Sequence, residues 1–228
     1  NINNTPQKIT GTRVVVDWSS ASSGTCNINQ TIYTENVSQI YFVGNSNTIY
    51  NNLIISAFAG TTTQANQMIC FKNFSMNGYL TKTDNSVNLN MTIDCLGNNA
   101  INAPTEISAI VKFTSLTFTG TGNLSVTGGN GISATAAGYN GTDGAIAIAV
   151  DNMIVDMTGN LIVAGGNGGN GADGVLGKDG TNGKNQTAQG KKGGAGTSGE
   201  NGGNGGNGGN GNFAIVFITA NAPFSSLP

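Results

Sequence analysis

The tightest constraint on this chain is a glycine at every third position through most of its last quarter. Glycine falls at Gly165, Gly168, Gly171, Gly174, Gly177, Gly180 and Gly183. The register breaks at Asn185-Gln186-Thr187-Ala188-Gln189 and resumes at Gly190, Gly193, Gly196, Gly199, Gly202, Gly205, Gly208 and Gly211. A backbone of polyproline II type has three residues per turn and rises about 3.1 Å per residue. Glycine at every third place strips one face of that helix, so another backbone can lie against it. The buried amides and carbonyls on such a face need partners. Collagen has the same period but depends on a high proline content, and residues 165–211 contain no proline. The spacing therefore predicts polyglycine II helices bonded to one another through their backbones. A disordered glycine linker is the competing reading, and the return of a strand pattern at Phe213 weighs against it.

The break then becomes a turn between two antiparallel arms, each about 65 Å long at full extension. Near the base the intermediate positions are mostly Gly-Asn, which leaves two bare faces and suits a helix packed on two sides. Toward the turn Val175, Leu176, Lys178, Asp179 and Lys184 appear, with Lys191 and Lys192 on the return. The base should be buried among other arms and the tip should protrude. Residues 128–144, GGNGISATAAGYNGTDG, read as a shorter arm of the same kind.

The rest is short strand patterns separated by Asn, Gly and Ser-Thr turns. Candidate strands cover 12–18, 38–44, 48–56, 67–74, 87–94, 108–120, 123–129, 144–150, 152–157, 160–166 and 212–220. No amphipathic helix is expected. Residues 108–131 and 145–168 are copies offset by 37, sharing the blocks TGNL and GGNG. A repeated unit of three strands predicts an all-β fold, a β-solenoid with inserted polyglycine II hairpins. A β-sandwich with a glycine-rich insertion is the alternative. The organisation expected is a β domain over 1–127, a short glycine arm over 128–144 and further strands over 145–164. The polyglycine II hairpin over 165–211 and a last strand with a tail over 212–228 follow.

Chemistry is sparse. Charged residues make up 9% of the chain, the net charge is −2 and there is no histidine. The usual general base, metal ligand and pH switch are missing, so no catalytic residues and no cofactor are assigned and a non-enzyme is expected. A nucleic-acid binder needs a basic footprint that this chain lacks. No apolar run approaches the ~20 residues of a membrane span. Asp143, Asp151, Asp156, Asp173 and Asp179 are the only grouping that suggests calcium, and the triplet register of GGNGADGVLG favours a backbone role instead. Cys70 and Cys95 lie 25 residues apart, about one solenoid coil, and are a candidate disulfide; three buried, inert thiols are the alternative. Lys178, Lys184, Lys191 and Lys192 form a candidate contact tip, against the reading that they only solubilise a loop. Trp18, Tyr33, Tyr41 and Tyr50 could stack on sugar rings, although packing is the commoner use of such residues.

The runs GGNGGNGADG and ENGGNGGNGGNGN resemble the repeats of the snow-flea glycine-rich antifreeze protein and of the glycine-rich adhesins at phage tail-fibre tips. That resemblance covers about a quarter of the chain and implies polyglycine II bundles. The antifreeze repeats carry cysteines and the phage adhesins carry aromatic-rich loops; this chain has neither there. The β part resembles extracellular β-solenoid adhesins. The expectation is a secreted, extracellular structural or adhesive surface protein, a self-assembling fibre or surface-layer component. A carbohydrate- or host-surface-binding module is the alternative, with a surface glycan as partner, and an ice-binding protein is the second.

Overall fold

The computed structural model describes residues 7–8, 13–35, 37–58, 64–82, 88–185 and 194–217. Its strands in chain order begin with β1 (Gln7–Lys8), β2 (Arg13–Asp17), β3 (Gly24–Glu35), β4 (Gln39–Val43) and β5 (Thr48–Phe58). Then come β6 (Gln64–Lys72), β7 (Ser75–Lys82), β8 (Asn88–Leu96), β9 (Asn98–Asn102) and β10 (Ile110–Gly120). The last are β11 (Asn123–Thr127), β12 (Ile148–Met157), β13 (Leu161–Ala164) and β14 (Ile215–Phe217). Every ladder between them is parallel. This is a β-solenoid, and the sandwich alternative, which needs antiparallel ladders, is set aside.

The coils have three faces. One stacks β2, β4, β6, β8 and the second parts of β10 and β12. A second stacks the first parts of β3, β5 and β7 with β9, β11 and β13. The third stacks β1, the second parts of β3, β5 and β7, the starts of β10 and β12, and β14. Side chains alternate in and out along each strand, so stacking builds apolar columns inside. Ile32, Ile55, Leu80, Ile110, Ile148 and Ile215 form one such column. Cys26, Tyr50, Met76, Ile101, Val126 and Val163 form another. Ile40, Ile69, Ile93 and Phe118 lie fully buried on the remaining face.

Four strands went unread in the sequence: the two-residue β1, and β3, β7 and β9. In β3, β7 and β9 turn-forming residues interrupt the pattern, but those residues lie at or beside corners of a continuing coil. Asn29 and Asn52 take left-handed backbone angles (φ 52° and 54°) at the same corner of successive coils, a conformation asparagine tolerates. Asn27, Asn51, Asn77 and Asn102 stack beside it, and the amides of Asn51, Asn77 and Asn102 each donate to the side-chain oxygen of the asparagine one coil earlier, at 3.3, 2.7 and 3.5 Å. Such a ladder satisfies polar side chains from coil to coil without charge.

That corner positions the glycine segments. Between the second and third faces the early coils insert almost nothing. The next three insert residues 103–109, then 128–147, then 165–214. The insertions therefore leave the solenoid one above another. The expected 37-residue repeat follows from this stacking: Leu124 pairs with Leu161 and Ser115 with Asn152.

Trp18, Tyr50, Phe71 and Phe74 pack inside the coils, with Tyr50 and Phe74 stacked at 4.8 Å and Phe71 and Phe74 at 5.4 Å. Trp18 and Tyr50 thus serve the core. Tyr41 lies outside, under the Arg13 guanidinium at 4.5 Å.

Candidate functional site

The two insertions fold into four extended segments. The first short segment runs from 128 to 134 and its return from 138 to 145. The long outgoing arm runs from 165 to 185 and its return from 194 to 212. The long arms are antiparallel and bonded at every third residue. Amides of Asn212, Gly209, Gly206, Gly203, Glu200, Thr197 and Gly194 donate to carbonyls of Gly166, Gly169, Ala172, Val175, Lys178, Thr181 and Lys184 at 2.8–3.0 Å. The register does not slip over that whole length.

The short segments complete the base. Gly131 and Ala134 donate to Asn167 and Asn170 (2.7 and 2.8 Å), and Thr142 and Ala145 donate to Ile132 and Gly129 (2.9 and 2.7 Å). The outgoing long arm donates back through Gly166, Gly169 and Ala172 to Ala145, Thr142 and Tyr139 (2.8, 2.8 and 3.0 Å). Gly141 and Gly144 donate to Asn207 and Asn210 on the return arm, both at 2.9 Å. Among these four segments two are thus central with three neighbours each and two are peripheral with two, the first short segment also bonding the 103–109 insertion. Side chains brace the layers: Asn207 and Asn210 amides donate to the Asn140 and Asp143 side chains at 2.7 and 2.6 Å.

Glycine usage follows this neighbour count. On the outgoing arm a Cβ at any of Gly165, Gly168, Gly171, Gly174, Gly177, Gly180 or Gly183 would strike a carbonyl oxygen of the return arm. At the base Gly166 and Gly169 would strike Gly129 and Ile132 carbonyls of the first short segment as well. Gly166 and Gly169 are buried there. The short return's last bond to this arm is Gly138 to the Asp173 carbonyl (2.9 Å). In that triplet Ala172 already holds the second glycine's place, and beyond it Val175 and Lys178 hold it, with Leu176 in the asparagine's; these three outer residues are exposed.

The return arm departs from the expected register. The glycines of its base that meet another backbone are Gly206 and Gly209, against Tyr139 and Thr142 carbonyls. The periodic glycines Gly205, Gly208 and Gly211 have nothing nearer a Cβ than 3.4, 3.5 and 3.6 Å, ordinary contact distance. Gly199 and Gly202 are tighter, at 3.0 Å, and Gly196 at 2.6 Å. Contacts among the described residues do not account for glycine at 205, 208 and 211.

Lys178 makes an exposed ion pair with Glu200 across the two arms at 3.8 Å, and Lys184 is exposed. Gly190, Gly193, Lys191, Lys192 and the turn after Asn185 lie outside the described residues, as does the end of the last predicted strand.

The candidate disulfide is corrected. The coil there is 24 residues long, not 25: Cys70 pairs with Asp94, while Cys95 pairs with Phe71. A one-residue slip reverses the side chain. Cys95 therefore joins the core, Cys70 sits on the outer side of the same sheet, and both thiols are free. Burial, and after it the negative charge of Asp94, pushes Cys70 up to about 11 and Cys95 up to about 12. Both stay protonated near neutrality and are poor nucleophiles. Among the described residues no group of three or more His, Cys, Asp or Glu could hold a metal ion, and no helix is long and apolar enough to cross a membrane.

No family model, curated protein or solved structure matches this chain.

Proposed function

We propose that this is an extracellular structural and adhesive surface protein without catalysis, a self-associating component in which a solenoid carries a projecting polyglycine II bundle. The observation that supports this reading most is the unbroken ladder between the long arms. A flexible linker has no reason to keep one register over that distance. Beyond residue 173 the arms continue as a pair, with no third segment among the described residues, for about 11 residues to Lys184, or roughly 34 Å at the rise of this helix. The lysines near that end would be the contact tip. The low charge and polar uncharged ladders suit a rigid part that works by shape.

Electron microscopy of the purified protein at high concentration tests the reading. Fibres or sheets with a thin lateral projection are expected. Deleting 175–202 should remove the projection and leave the solenoid. Discrete particles at every concentration, or arms with fully exchanging amides, would refute it.

A further inference from the structure

We infer that a cleft on the third face, beside the root of the glycine arms, is a binding site for a neutral saccharide. Its volume is about 480 Å³ and its walls include Tyr79, Thr81, Glu106, Ile107, Val111 and Lys112.

The cleft exists because a ladder is interrupted. The second part of β7 meets β10 through the single pair Leu80 and Ile110. β10 then bulges between Val111 and Phe113, with Lys112 in left-handed backbone at φ 75°. Bulges re-aim side chains and end pairing beside functional sites. The opposite wall is the insertion 103–109, where Glu106 is also left-handed at φ 61°. That insertion is clamped to the first short arm: the Glu106 amide donates to Asn130 and the Gly129 amide donates to Ile107, both at 2.9 Å. Two non-glycine residues in this sparsely populated region face one cleft, each imposed by its surroundings. Strain of this kind concentrates where a side chain must be presented.

The chemistry of the walls selects the ligand. Lys112 only donates hydrogen bonds, the Glu106 carboxylate only accepts, and the hydroxyls of Tyr79 and Thr81 do either. Ile107 and Val111 add apolar surface. Sugar hydroxyls both donate and accept, and the ring's C–H face wants an apolar or aromatic contact. An anion would meet the Glu106 carboxylate, and a cation would meet Lys112 and Lys82, which also lines the cleft.

The left-handed angles provide clean variants, because glycine adopts them without strain. Lys112→Gly and Glu106→Gly remove each side chain and keep its backbone. The probes are malto-, cello-, manno- and xylohexaose, titrated calorimetrically into the full chain, with a heparin hexasaccharide as the acidic control. At least one neutral probe should bind with Kd of about 1 mM or tighter. Each glycine variant should weaken it about tenfold, the worth of one charged hydrogen bond, and shifted amides should cluster at Tyr79, Thr81, Glu106 and Lys112. The site is overturned if no neutral probe binds, if both variants bind as the parent does, or if the heparin fragment binds better than every neutral sugar.

Discussion

The solenoid and the glycine arms solve the same problem with opposite materials. In the solenoid, side chains hold the coils together: isoleucine, leucine and aromatic columns exclude water between ladders. In the arms, backbones hold each other, and a side chain on the wrong face is an obstacle. One region tolerates changes of size poorly because a methyl group lost leaves a void. The other tolerates them poorly because a methyl group gained displaces a hydrogen-bonded neighbour. Within the arms the contrast recurs, since the outgoing arm meets backbone at every periodic glycine and the base of the return arm does not.

The largest test of this contrast is a core truncation. Phe118 is fully buried, and Phe118→Ala should cost about 3–5 kcal/mol in urea unfolding of the solenoid, while spacing between the arms' own amides is unchanged. Gly174→Ala should do the reverse. Its Cβ would meet the Gly203 carbonyl, so hydrogen-exchange protection at Gly203 and Gly206 should fall by roughly tenfold or more, about 1.4 kcal/mol, with the solenoid's unfolding midpoint retained. Equal loss in both regions would show that arms and solenoid unfold as one unit.

Alkaline pH should separate the regions next. Cys70 and Cys95 have folded pKa values raised to about 11 and about 12, above the ~8.5 of an unfolded thiol. Their protonated forms favour folding, so this contribution is complete below that unfolded value and is lost as pH rises from it toward about 11 for Cys70 and about 12 for Cys95. Cys95→Ala should flatten the slope of stability against pH over that interval, where one titrating group is worth at most about 1.4 kcal/mol per unit. Exchange of the arm amides, once corrected for intrinsic rate, should not follow the slope. The smallest effect belongs to Gly208→Ala. With nothing nearer than 3.5 Å, it should change arm protection by about 0.5 kcal/mol or less. A loss as large as that of Gly174→Ala would mean that the return arm has a neighbour on that side.

Much of this was readable because it is local. Strands over 13–17 and 39–43 show the alternation of half-buried ladders, and the second glycine, last present at Gly169, gives way to Ala172 in the last triplet that the short arms bond. β3, β7 and β9 were hidden because asparagine and glycine turn the chain within a strand as readily as they end one. The cysteines misled because a coil length uncertain by one residue determines which side of a sheet a side chain takes. The cleft had no signal in the sequence: Glu106 and Lys112 acquire left-handed angles through a bulge and a clamped insertion, neither of which is a property of its own segment.

The amino-acid sequence alone determined the three-residue rhythm, the alternation along strands and the repeat of 37, since each is a steric preference acting over a few neighbouring residues. Only the tertiary structure decided that the glycine segments leave from one corner, that two of them are central, and that three glycines of the return arm have no close neighbour among the described residues. Those outcomes depend on the summed lengths of successive coils, which set the residues that lie one 4.8 Å layer apart however far apart they are in the chain.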